Sequence, residues 1–128
     1  MRQLLRRLAA GIATLRGLTP ELHDQISERT QRLVHGLRRI AAEHDVPFTA
    51  DCAGSMWGFF FRAEPVRSFA DAKTCDVERF KRFFHAALAR GVYLAPSAFE
   101  AAFMSSAHSD RDVEETLNRL SDAMAEAR

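Results

Sequence analysis

One carboxylate in this chain stands where it could do chemistry. Glu100 ends the segment 93–100, whose sequence YLAPSAFE is apolar except for Ser97 and Glu100 itself. An acid in such a setting is either paired or functional, because burying an unpaired carboxylate is costly. From the residues alone, Glu100 is either a solvent-facing loop residue or a site residue, and both interpretations stay open.

Other catalytic chemistry finds weaker support. The chain has two cysteines, Cys52 and Cys75, and histidines at 44, 85 and 108, but no spacing places a base beside a thiol. Folding can bring such groups together, so the sequence does not exclude a nucleophile. The plainer prediction is a structural His85 and reduced, buried cysteines. There is no CxxC zinc pattern, so no metal site is expected. A glycine-rich loop that would bind phosphate is also missing.

Composition limits the remaining classes of function. The 128 residues fit one domain, and the formal charge of +1 provides no field that would attract nucleic acid. The aromatic run from residue 57 to 61 is expected in the core rather than on a base-stacking surface. No apolar run approaches the length needed to cross a bilayer. These features predict a soluble cytoplasmic domain that acts without nucleic acid or membrane.

The first 17 residues form a basic amphipathic segment. They contain four arginines and no acid, and their apolar residues share one helical face. That pattern suits a mitochondrial transit peptide, a helix that acts at a membrane or import receptor, or a helix that packs on a neighbouring domain. We favour the packing helix. The apolar face consists of Leu4, Leu5, Leu8, Ile12 and Leu15.

The elements that must position Glu100 follow from periodicity and caps. Thr19 and Pro20 predict the start of a long helix over 20–44, since threonine caps and proline fits the first turn. Asp76 predicts a second helix, which Gly91 ends, and Ser109 with Asp112 predicts a cap for the last helix. The helix beginning after Asp76 has an apolar face made of Phe80, Phe83, Phe84, Ala87 and Leu88.

Strands fill the intervals. We predict strands at 47–52 and 55–62, with Gly54 in the turn, and short strands at 92–95 and 103–107. Residues 64–72 are expected to be irregular. Gly58 inside an aromatic strand indicates either a bulge or the close approach of a backbone or ligand. Segregated helices and strands predict an α+β fold, with helices on one face of a mainly antiparallel sheet.

Several motifs resemble one enzyme family. GVYLAPSAFEAAFMSSAHS is similar to the GVYLAPS, FEAGF and AH-[ST] motifs of glutamate-1-semialdehyde aminomutases, and GSMWGFFF resembles their GSM-aromatic-G strand. The resemblance runs from about residue 9 to the end of the chain. It implies the small C-terminal domain of a fold-type-I pyridoxal-phosphate enzyme. Residues 1–17 would then be the joining helix from a missing large domain, and residues 18–128 the C-terminal domain.

The resemblance also implies a chemistry. The family moves the amino group of glutamate 1-semialdehyde from C2 to C1, giving 5-aminolevulinate for tetrapyrroles, with pyridoxal phosphate as cofactor. It implies that Glu100 contacts the amine of the substrate or cofactor. Lys73 and Lys81, the only lysines, do not match the Schiff-base position. Ala102 stands where the family usually has glycine, which could crowd the backbone near Glu100.

Those departures set the functional expectation. Pyridoxal phosphate belongs to the full-length family, and this chain alone is expected to anchor no cofactor. We therefore expect a truncated aminomutase, inactive by itself, whose partners would be a small-molecule substrate and either a second copy, in a homodimer, or a large-domain partner. The alternative is a non-enzymatic interaction module derived from the small domain.

Overall fold

Eight elements make up the fold in the computed structural model, which describes residues 2–128. Two helices come first, a hairpin follows, and a short strand lies between the last two long helices. In chain order the elements are α1 (Arg2–Gly17), α2 (Pro20–Glu43), β1 (Thr49–Ala53), β2 (Met56–Phe60), α3 (Phe69–Ala72), α4 (Val77–Ala89), β3 (Ala102–Phe103) and α5 (Asp110–Glu126).

The sheet has three antiparallel strands in the order β1-β2-β3. Gly54 turns the chain between β1 and β2 with a φ of +59°, a left-handed angle that glycine adopts without steric cost. Because side chains alternate along a strand, Trp57 and Phe59 face the helices while Met56 and Gly58 face the other way. The sheet therefore has an inner face in the core and an outer face that no helix of this core covers.

The core lies between the inner face of the sheet and three helices. α2 packs on β1 and α5, and α4 packs on α5. Phe59 and Phe61 meet Phe83 of α4 edge-to-face, with ring centroids 5.6 and 5.4 Å apart. The largest fully buried side chains are Phe83, Leu37, Leu120, Met124, Val34 and Thr30.

Most of the predicted elements are confirmed. Thr19 caps α2 through its hydroxyl, which accepts the Leu22 N–H. Asp76 caps α4 through its carboxylate. Gly91 follows α4 with a φ of +78°. Ser109 and Asp112 form a complete capping box at the start of α5. The α+β class and the mainly antiparallel sheet are as expected.

Three local predictions are wrong. Residues 92–95 form no strand, because the Val92 N–H remains bonded to the carbonyl of Ala87 in α4. The last strand is Ala102–Phe103 rather than 103–107, since Ser105 and His108 close a turn directly after it. The stretch 64–72 contains the helix α3, which Ser68 caps.

Two expectations about side chains also change. Leu88, predicted on the apolar face of α4, is 45% exposed. Gly58 is in regular register opposite Asp51, so it forms no bulge. A Cβ built at Gly58 meets nothing within 4 Å, so no other part of the chain approaches it either. Neither a bulge nor a close approach by the backbone of residues 2–128 therefore accounts for Gly58.

Candidate functional site

A tight turn presents Glu100 at the edge of the sheet. The Glu100 N–H donates to the carbonyl of Ser97 at 3.2 Å, and the Phe99 N–H donates to the Ser97 hydroxyl at 3.2 Å. Ala98 is buried and anchors the turn in the core. Glu100 itself is exposed. Because Ser97 satisfies two backbone donors, the turn holds its shape without using the carboxylate of Glu100.

Glu100 borders a depression on the outer face of the sheet. The depression has a volume of about 340 Å³ and is open to solvent. Gly58 contributes no side chain to its floor, which leaves the space above β2 free. It is lined by Asp51, Cys52, Ala53, Met56, Trp57, Gly58, Phe60, Phe99, Glu100 and Ala101. The lining is apolar apart from two carboxylates.

The second carboxylate, Asp51, was not anticipated from the sequence. It is opposite Gly58 in the β1–β2 register, which brings it into the same depression. Its Oδ1 accepts the Cys52 N–H at 2.8 Å and is 3.7 Å from the guanidinium of Arg38. The signal was available, because alternation along β1 points Asp51 away from the core. What the sequence lacked was the pairing that sets Asp51 opposite a glycine.

Neither lysine of the chain reaches this depression. The ammonium of Lys73 sits 5.4 Å from the ring centroid of Phe69, and that of Lys81 pairs with Glu78 at 2.6 Å on α4. A Schiff-base enzyme needs a lysine amine at the cofactor aldehyde. The described residues therefore do not fit pyridoxal phosphate as a covalently held group.

Cys75 and His108 have structural rather than catalytic surroundings. Burial raises the pKa of the Cys75 thiol, the opposite of what a nucleophile needs. The Nδ1 of His108 accepts the Ser105 N–H at 3.0 Å, so this ring closes the turn before α5. His85 lies exposed on α4, against the ring of Phe84. Cys52 is only partly buried, so burial was correctly expected for one cysteine of the two.

Residues 2–128 show neither a metal-binding cluster nor a membrane-spanning helix. No cluster of three or more histidine, cysteine, aspartate or glutamate side chains there could hold a metal ion. None of the helices in that range has the length and apolar character that crossing a membrane requires.

The fold is shared with pyridoxal-phosphate transaminases. An omega-transaminase from Sphaerobacter thermophilus superposes with a TM-score of 0.77 at 23% identity, covering 93% of this chain and 27% of that one. The FumI protein of Sphingopyxis sp. MTA144, solved in its pyridoxal-phosphate internal aldimine form, gives 0.70 at 27% identity, covering 91% of this chain and 26% of that one.

In sequence, the chain is similar to glutamate-1-semialdehyde 2,1-aminomutases. The glutamate-1-semialdehyde 2,1-aminomutase of Gemmatimonas aurantiaca is 61% identical over 120 residues, covering 94% of this chain and 28% of the relative. That of Laribacter hongkongensis is 47% identical, covering 92% and 28%. A solved aminomutase from Pseudomonas aeruginosa PAO1 superposes with a TM-score of 0.76 at 21% identity, covering 87% and 24%.

These comparisons confirm the resemblance that the motifs predicted. The chain is similar, over nearly its whole length, to a segment of the aminomutases, and it spans about 28% of the length of those curated relatives. No protein-family model matches it.

Proposed function

We propose that this chain is the small domain of a glutamate-1-semialdehyde 2,1-aminomutase, which shapes one side of the substrate site and leaves cofactor binding to a large domain. The 61% identity to the Gemmatimonas aurantiaca enzyme, over 94% of this chain, carries the proposal. In this arrangement α1 joins the two domains, and residues 18–128 form the small domain. The large domain belongs to the same polypeptide or to a separate one, and the assembled enzyme is a homodimer.

Glu100 is the residue that this domain contributes to the chemistry. Its turn is held by Ser97 rather than by the carboxylate, so the carboxylate is available to a ligand. A carboxylate beside an apolar depression suits an ammonium group, because a charge pair strengthens once water is excluded. Glu100 would then hold the substrate amine and limit its motion during the transfer between C2 and C1.

A graft tests this assignment. The 120 matched residues of the Gemmatimonas aurantiaca enzyme are replaced by those of this chain, and 5-aminolevulinate formation is measured. The graft should turn over substrate, while Glu100→Gln in the graft should lower kcat by about a hundredfold or more. Its cofactor absorbance should stay unchanged. Glu28→Gln, the same chemical change at an exposed site on α2, is the matched control.

The isolated chain provides the complementary measurement. Mixed with pyridoxal phosphate, it should give no stoichiometric Schiff-base band and no aminolevulinate, because neither lysine lies at the depression. Turnover by the isolated chain would refute the proposal. So would a grafted Glu100→Gln variant whose kcat stays close to that of the graft.

A second candidate function follows from two exposed apolar surfaces. Leucines of α1 and aromatic side chains on the outer face of the sheet are open to solvent, and such patches mark interaction sites. A non-enzymatic interaction module would use these surfaces and make no use of Glu100. A chain that elutes as a monomer and binds no apolar dye would count against this candidate.

A further inference from the structure

The helix α1 is displaced from the core of its own chain. Residues 3–18 are exposed, and only two residues link α1 to α2. The buried part of α2 begins at Thr30, ten residues after Pro20, which corresponds to about 15 Å along the helix axis. α2 packs on the inner face of the sheet, and α1 does not pack on the outer face of its own sheet.

The exposed face of α1 is apolar with a basic border. The five stripe residues Leu4, Leu5, Leu8, Ile12 and Leu15 are 51–69% exposed. At 100° per residue, Arg7 and Arg16 flank this stripe on its two sides. The helix carries four arginines and no acid, so charge repulsion opposes the packing of one α1 against another.

The outer face of the sheet offers the complementary chemistry. Met56, Phe99 and Phe103 are exposed there, by 44%, 48% and 65%. The depression beside them has two carboxylates, Asp51 and Glu100, and no cationic side chain in its lining. The guanidinium of Arg38 approaches Asp51 from the rim and leaves Glu100 unopposed.

The dimensions of the two surfaces match. From Leu4 to Leu15 the stripe runs about 16 Å, at 1.5 Å per residue. A five-residue strand such as β2 is about 17 Å long, and at the end where the two-residue β3 pairs, the three strands span about 10 Å, roughly one helix diameter. One helix therefore fits lengthwise along the outer face of the sheet.

We propose that α1 of one copy packs on the outer face of the sheet in a second copy, by a reciprocal exchange that forms a dimer. The occupant is a second copy because the helix and the face complement each other in shape and charge but do not meet within one chain. The exchange covers the depression and closes access to Glu100. It concerns the chain without a large domain, which under the proposed function would cover the same face of the sheet.

Analytical ultracentrifugation of the 128-residue chain tests the exchange. We expect a dimer of about twice 14.4 kDa. Replacing an apolar contact residue by arginine should raise the dissociation constant of the dimer at least about tenfold. The two replacements are Ile12→Arg on the stripe and Phe103→Arg on the face. Ala13→Arg, on the opposite side of α1, and Leu88→Arg, exposed on α4, are matched controls that should leave the dissociation constant unchanged.

Reversing the charges on both surfaces distinguishes this contact from nonspecific hydrophobic association. Arg7→Glu with Arg16→Glu should weaken the dimer, and adding Asp51→Lys with Glu100→Lys should restore it, because opposite charges then face each other again. A monomer at every concentration overturns the proposal. So does a dimer that the stripe variants weaken and the sheet variants do not, since α1 would then be pairing with something other than the sheet. The proposal is also overturned if the variant that carries all four charge reversals does not regain the dimer.

Discussion

Substitutions at Gly58 should affect the stability of the fold and the activity of the candidate site differently. The residue belongs to an ordinary antiparallel register, and an added Cβ meets no atom within 4 Å. Glycine in a strand costs roughly 0.5–1 kcal/mol relative to alanine, through the extra freedom of the unfolded chain. Gly58→Ala should therefore raise the free energy of unfolding by about that amount, which corresponds to a rise in Tm of roughly 3 °C for a domain of this size.

Gly54→Ala is the matched control for this prediction. A Cβ at Gly54 also meets nothing within 4 Å, but the backbone there has a φ of +59°. A left-handed conformation costs an L-residue roughly 1–2 kcal/mol, so Gly54→Ala should lower the free energy of unfolding. Urea denaturation of the isolated chain measures both changes. A Gly58→Ala variant destabilised as much as Gly54→Ala would refute the packing argument.

The same position should behave differently in the grafted enzyme. Gly58→Val suits a strand, because branched side chains pack well there, yet it fills the floor of the depression beside Glu100. We expect kcat of the graft to fall at least about tenfold while thermal stability holds. Full activity in a Gly58→Val graft would mean that the depression is not where the substrate lies.

Two further predictions concern how α2 meets α5. Gly36→Ala sets a Cβ 2.5 Å from the methyl carbons of Leu117, so this crowding should offset the gain of about 1 kcal/mol that alanine brings to a helix. In a Leu117→Ala background the full gain should appear, and an equal gain in both backgrounds would contradict the reasoning. The hydrogen bond from Arg29 lowers the pKa of Asp110. Its stabilisation is therefore present above pH ~4 and lost as pH falls through the lowered pKa, so urea curves of Asp110→Asn and the natural chain should converge in acid but differ at pH 7.

The helices could be predicted because their signals are local. Capping by Thr19, Asp76 and Ser109 uses side chains and backbone donors within three residues of each other. The left-handed conformations of Gly54 and Gly91 are equally local. Such signals act before any tertiary contact forms, so the sequence alone identifies them.

Several errors arose where distant partners decide the structure, whereas α3 was missed although its cap, Ser68, is local. Residues 92–95 have a strand-like composition, but β2 pairs instead with Ala102–Phe103. Leu88 continues the periodicity of α4, yet no other element covers it. Asp51 entered the candidate site only through its pairing with Gly58. Pairing and coverage depend on residues far away in the chain, which periodicity does not contain.

The proposed role of Glu100 requires that the depression beside it be covered, because Glu100 itself is exposed. A carboxylate in water pairs with an ammonium for roughly 0–1 kcal/mol, too little to hold a substrate in register. The same pair gains strength as water leaves and the effective dielectric constant falls. The apolar lining of Met56, Phe60 and Phe99 would supply that dry setting once a second surface closes over it. A large domain would do so around substrate, whereas α1 of a second copy would do so without it, so the two coverings should compete for one face.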